Sequence, residues 1–158
     1  MLVTKRKAIE EIVRFTNGEK AVFLLGCDGC AAASGTGGEA DILELEKELT
    51  RSGLEVTGSK VVDFLCQKAL IRKGLRPFSA ALAEADSIVV STCGIGIQAT
   101  ATVAKLPVHP ACDTVSLGGI RGEWHGSRGA GCAESRRSGG CAVLVGDVGI
   151  GFVSRNRA

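Results

Sequence analysis

The sequence predicts an α/β fold: an open, mostly parallel sheet flanked by helices, of the Rossmann or flavodoxin-like kind. Three observations predict it. Two short apolar runs, KAVFLLG at 20–26 and SIVVST at 87–92, carry no polar alternation, as strands covered on both faces do. Segments of helical periodicity lie between the strand-like runs. Glycine-rich turns follow the strands, the punctuation of a sheet whose loops emerge at the strands' carboxyl ends.

Taken in chain order, residues 4–16 read as an amphipathic helix. Thr4 stands as its cap, Ala8, Ile9, Ile12 and Val13 share one face, and Gly18 follows its end. The run 20–26 is the first buried strand, and the small-residue loop CDGCAAASGTGGE follows it. A second helix starts near Gly38, carries Ile42, Leu43, Leu45, Glu46 and Leu49, and stops at Gly53. Residues 54–62 hold a short strand, either around LEVTG or around KVVDF. Pro77 opens a third helix running to Ala85, because the first helical position tolerates a residue without an N–H. SIVVST then runs into CGIGIQ, where a helix starts near Gly96, and residues 107–114 form a last short strand. The two apolar runs should be neighbouring central strands in a three-layer core.

After residue 118 the composition changes. Residues 119–141 are heavy in Gly, Arg and Ser without periodicity, and an apolar stretch, CAVLVGDVGIGFV, closes the chain. Two units follow from this: an α/β core over 1–118 and an irregular C-terminal appendage over 119–158. Little burial offsets the ordering entropy of a Gly- and Arg-rich segment, so weak order is expected around 119–140, with 143–153 packing on the sheet or on a partner.

The bulk numbers exclude several classes of function. With 158 residues and 45% apolar composition, the chain buries roughly 70% of its unfolded surface and needs no disulfide staples. A net charge of +2 leaves no electrostatic footprint for nucleic acid. Five Phe, one Trp and no Tyr make a poor platform for stacking bases. No run approaches the roughly 18 apolar residues of a membrane span. The start MLVTKRK is basic, but Glu10 and Glu11 interrupt what would be the apolar part of a signal peptide. A cytoplasmic location is expected, where thiols stay reduced.

Seven cysteines are many for such a setting. Clustered cysteines there are more often metal ligands or redox groups than bridges. Cys27 and Cys30 form a CxxC where the first strand meets its loop, and Cys93 sits at the equivalent end of SIVVST. Open α/β sheets place their sites at these carboxyl ends. Cys66 follows the middle strand. Four thiolates from Cys27, Cys30, Cys66 and Cys93 suit one tetrahedral Zn²⁺ or one four-iron cluster. The competing reading is packing, since free cysteine often serves as a small hydrophobe; it has even weight at Cys66 and prevails at Cys112. A lone CxxC also reads as a thioredoxin-like pair, but the usual aromatic and proline neighbours are missing here. Neither GCDGC nor CGIGIQ matches GxGxxG, so no dinucleotide fingerprint follows either strand. His109 reads as a loop residue, His125 beside Trp124 as uncommitted, and Arg136–Arg137 as a solvated loop.

The order GCDGC, GTGGEA, DFLC, STCGIGIQ, HPACDTVSLG resembles the small subunit of acetogen-type methylenetetrahydrofolate reductases, a unit also found fused behind some flavin-dependent reductase domains. The resemblance covers roughly residues 5–120. It implies an α/β unit whose cysteines bind zinc or an iron–sulfur cluster. It also implies that the catalytic flavin belongs to the other subunit and that this chain holds none. The sequence departs from the family pattern. Ser34 stands where the family loop commonly carries a third cysteine. In RGAGCAESRRSGGCAVLVG, Cys132 and Cys141 survive, while Gly129, Ser135 and Gly146 stand at cysteine positions. A cubane takes four thiolates, one per iron, so residues 119–158 should hold no complete four-iron cluster.

Two functions of different class follow. The first is an accessory subunit that binds one metal centre and docks on a flavin-containing methylenetetrahydrofolate reductase-like subunit or a related electron-transfer complex, with a structural or electron-relaying role. The second is a structural zinc-binding interaction module without redox work. A third, an enzyme with Cys27 as nucleophile, has no base nearby in sequence.

Overall fold

The computed structural model describes residues 1–117. The expectations for the appendage over 119–158, for Cys132 and Cys141, and for His125 and Arg136–Arg137 fall outside the described residues. Strand β1 is Leu2–Arg6, helix α1 is Ile9–Phe15 and strand β2 is Ala21–Cys27. A four-residue helix α2, Cys30–Ala33, precedes α3, Glu39–Arg51, and strand β3, Glu55–Val62. Then come α4, Lys68–Leu75, a 3₁₀ turn at Arg76–Phe78, and α5, Ser79–Glu84. Strand β4 is Ser87–Ser91, α6 is Gly94–Val103, β5 is Val108–Pro110 and β6 is Cys112–Leu117.

A parallel four-stranded sheet of order β3–β2–β4–β5 forms the middle layer. The two apolar runs are its central, adjacent strands, and every residue of β2 and β4 is buried. Because side chains alternate along a strand, β2 feeds two cores. Val22 and Leu24 meet Ile12 of α1 and Ile42, Leu45 and Leu49 of α3 on one face. Phe23 and Leu25 meet Leu65, Ile71 and Leu75 on the other, with α5 and α6 residues packed alongside. The three layers are thus helices, sheet, helices. The expected α/β class and its parallel sheet are the structure's own, and the arrangement is compatible with a Rossmann-like fold.

Four sequence expectations change. Residues 4–6 are not the first turn of a helix: they belong to β1, paired antiparallel with β6 in a separate two-stranded ribbon. The helix starts only at Ile9, with Ala8 at its cap position, and Thr4 instead turns inward to meet the Thr36 hydroxyl at 2.6 Å. Both candidate strands within 54–62 are parts of the single β3. Its Thr57 is an extra residue against β2, where Val22 pairs with Val56 and Phe23 with Gly58. Helix α4 went unforeseen, and Pro77 sits inside the 3₁₀ turn that links it to α5. The expected strand over 107–114 is two strands. Ala111 ends β5's pairing with β4, and β6 departs to join β1. His109 is therefore a strand residue, with its Nε2 2.9 Å from the Glu19 carboxylate.

Candidate metal centre

All four predicted ligands lie at the carboxyl end of the parallel sheet. Cys27 is the last residue of β2, in register with Val62 of β3. It is buried, and its thiol is 4.0 Å from the Asp63 carbonyl oxygen. Asp28 and Gly29 form the turn after it, and Cys30 opens α2, half-buried. Cys66 lies exposed in the link between β3 and α4. Cys93 occupies the cap position of α6 and is buried. These four and Cys112 are free thiols.

The turn between Cys27 and Cys30 is held on two sides. The Asp28 N–H donates to the Val62 carbonyl at 2.9 Å. The Phe64 ring lies over Gly29 so closely that a Cβ there would meet it at 2.7 Å. That contact explains a glycine between the cysteines without invoking a ligand. Gly96 has a similar cause: a Cβ on it would strike the buried Thr92 Oγ1, an atom without a hydrogen-bond partner among the described residues.

Residues 35–38 lie across the crevice between β2 and β4, where the strand order reverses and open α/β sheets take their ligands. Gly37, at φ +75°, fits so tightly that a Cβ would stand 2.6 Å from the Ser91 carbonyl oxygen and 2.9 Å from that of Cys27. Its own carbonyl abuts Gly26. The loop is latched by Asp41, whose Oδ2 accepts the Gly37 N–H and the Ser91 hydroxyl, each at 2.8 Å. Asp41 in turn pairs with Arg6 of β1 at 3.3 Å, and Arg6 also binds Glu44 and Glu48. Glu39 and Asp41 put negative charge in the first turn of α3, where a nucleotide phosphate would otherwise sit on the helix N-terminus. The crevice is filled by the chain's own backbone and lined by its own carboxylates.

Cys112, the first residue of β6, is a packing residue, as its sequence context predicts. It is buried at the start of β6, its sulfur 3.2 Å from the Ser91 hydroxyl. Burial pushes its thiol pKa up, only partly offset by hydrogen bonds from Ser91 and Thr36.

Among the described residues, no three His, Cys, Asp or Glu side chains are arranged to hold a metal ion. The donor chemistry of Cys27, Cys30, Cys66 and Cys93 suits zinc or a four-iron cluster, and all four share one edge of the sheet. The described side chains nevertheless do not gather into a four-thiolate site. Sequence reasoning found the cysteines but missed the Asp41 latch. Its signal was present: an acid four residues after a glycine, in the first turn of a helix that opens on GTGG.

No protein-family model, no curated protein and no solved structure matches the chain. Among the described residues no helix is long and apolar enough to cross a membrane.

Proposed function

We propose that this chain is a non-catalytic accessory subunit of a methylenetetrahydrofolate reductase-like redox complex, docking on a flavin-containing partner subunit or a related electron-transfer complex. The observation that carries the reading is the placement of Cys27, Cys30, Cys66 and Cys93 at the carboxyl end of the parallel sheet, where strands meet the segments that follow them. The filled crevice between β2 and β4 supports assigning the flavin to the partner, because residues 35–38 take the place a dinucleotide would need. The metal, one Zn²⁺ or one four-iron cluster, enters the proposal on donor chemistry and location alone. It would serve as a structural tie or an electron relay at the edge facing the partner.

Metal and acid-labile sulfide analysis on the full chain, purified without oxygen, tests this. Zinc or iron near one site's worth per chain supports it, with visible absorption separating a cluster from colourless zinc. A chain carrying neither metal, and failing to co-purify with a flavin-containing reductase subunit when the two are co-expressed, overturns it. Zinc without any effect of the chain on the partner's reductase turnover favours the structural zinc module.

A further inference from the structure

We propose that Cys27 and Cys30 form a reversible dithiol–disulfide couple, closed by low-molecular-weight disulfides. The two residues flank the Asp28–Gly29 turn, one ending a strand and the other opening a helix. A four-residue turn brings its end Cα atoms within about 7 Å, against the roughly 4.4–6.8 Å that a disulfide spans. The turn is pre-set: the Asp28 N–H is bonded to the Val62 carbonyl at 2.9 Å, and the Phe64 ring covers Gly29. Little further ordering is needed for closure, which is what favours an intramolecular bridge over a lasting mixed disulfide.

Accessibility orders the steps. Cys30 is half-buried, whereas Cys27 is 5% exposed. The Cys30 thiolate attacks one sulfur of the oxidant's S–S bond, forming a mixed disulfide and releasing the first thiol. The Cys27 thiolate then attacks the Cys30 sulfur, the new S–S bond forms within the protein, and the second thiol leaves. Two electrons and two protons pass from the pair to the oxidant. Cys66 is the more exposed thiol but has no described cysteine across a turn from it. Cys112 is buried and hydrogen-bonded to Ser91. Closure removes two of the four proposed metal ligands, so oxidation and metal binding exclude each other at this edge. The couple goes beyond the metal reading and stands without it.

Trypsin cuts after Lys20 and Lys47, so both thiols fall on one peptide, 21–47, that contains no other cysteine. The full chain as purified is incubated with oxidised glutathione, alkylated, digested and weighed, with metal content followed in parallel. The expected result is a 21–47 peptide lighter by two hydrogen atoms, about tenfold less alkylated, and restored by dithiothreitol. Any bound metal is released in step with closure. Cys66→Ser leaves closure unchanged, and Cys30→Ser abolishes it. The proposal is overturned if Cys27 and Cys30 stay alkylatable at excess oxidised glutathione, whether or not metal is present. It is equally overturned if either ends in a bridge to Cys66 or Cys93, or if glutathione remains on Cys30. Metal absence alone would sink the metal reading and leave this test intact.

Discussion

The Asp41 carboxylate accepts the Ser91 hydroxyl at 2.8 Å, and this bond ties the first turn of α3 to the end of β4. The same oxygen takes the Gly37 N–H, and the other pairs with Arg6. One side chain therefore joins a helix, a loop and strands of both sheets. Asp41→Ala takes the carboxylate acceptor from a buried hydroxyl and a backbone N–H and leaves the Arg6 guanidinium with Glu44 and Glu48 only, and should cost about 2–3 kcal/mol. Glu44, on the same network but 67% exposed, should cost less than about 0.5 kcal/mol when changed to Ala. Urea unfolding of both variants checks the contrast; equal losses would mean that the latch is not the centre of the network.

Two glycines at positive φ separate strain from crowding. Gly18, at φ +90°, has nothing within 4 Å of a would-be Cβ, while Gly37 faces two carbonyl oxygens. Gly18→Ala should cost only the left-handed penalty of about 1–2 kcal/mol. Gly37→Ala should exceed that by at least about 2 kcal/mol, since backbone must move to admit the methyl group. Thermal or urea midpoints read the difference directly.

If the proposed metal is bound, its loss should follow Cys27 and Cys93, at the carboxyl end of the parallel sheet, and spare Cys112. Cys27→Ser and Cys93→Ser should each lower metal content, and full retention by both would defeat a shared centre. Cys112→Ser should leave the metal unchanged, because that sulfur is turned to Ser91.

Cys112 also carries a pH signature. Its thiol pKa in the fold lies above that of the unfolded chain, about 8.5, through burial. Its contribution to stability is complete below that pH and is lost as pH rises toward the folded value. Alkaline unfolding curves of the parent should fall more steeply above pH of about 8.5 than those of Cys112→Ala. Iodoacetamide should reach exposed Cys66 well before Cys112.

Asp86 gives the acid counterpart. Its carboxylate accepts the N–H groups of Ala21 at 3.0 Å and Lys20 at 2.8 Å, and those bonds, Ala21's first, hold its pKa below the ordinary value. The stabilisation is present above the unfolded pKa of about 3.9 and drains away as pH falls through the lower folded pKa. Asp86→Asn should flatten that part of the acid unfolding profile; an unchanged profile would show that another carboxylate carries it.

What was legible in the sequence followed burial. Strands β2 and β4, covered on both faces, could only be apolar runs, and α3 announced itself through Ile42, Leu45 and Leu49 and the glycines at its ends. Strand β1 was misread because the charged residues at its end are used, not merely tolerated: Arg6, its last residue, reaches the carboxylates of α3, and Lys7, just after it, those of Glu11 and Asp113. In sequence such a stretch looks like the polar start of a helix. Helix α4 was hidden by Gly74 in its last turn, where a Cβ would stand 2.7 Å from Val62, so packing overrode propensity. The break between β5 and β6 leaves no compositional mark, because only pairing partners change at Ala111. At the site, the cysteines' shared edge was readable from strand order, but side-chain convergence depends on the loops' exact paths, which spacing does not encode.

The ribbon that pairs Leu2 with Leu117 joins the first strand of the described chain to its last. On a ribosome, β1 emerges long before β6, the strand it pairs with. It must wait, with its backbone hydrogen bonds made to water, until nearly the whole core has been synthesised. The parallel sheet can assemble earlier, one crossover at a time. Native closure of this core is therefore a late event in the life of the nascent chain, and a ribosome stalled before β6 emerges would hold a sheet whose ribbon strand β1 still lacks its partner.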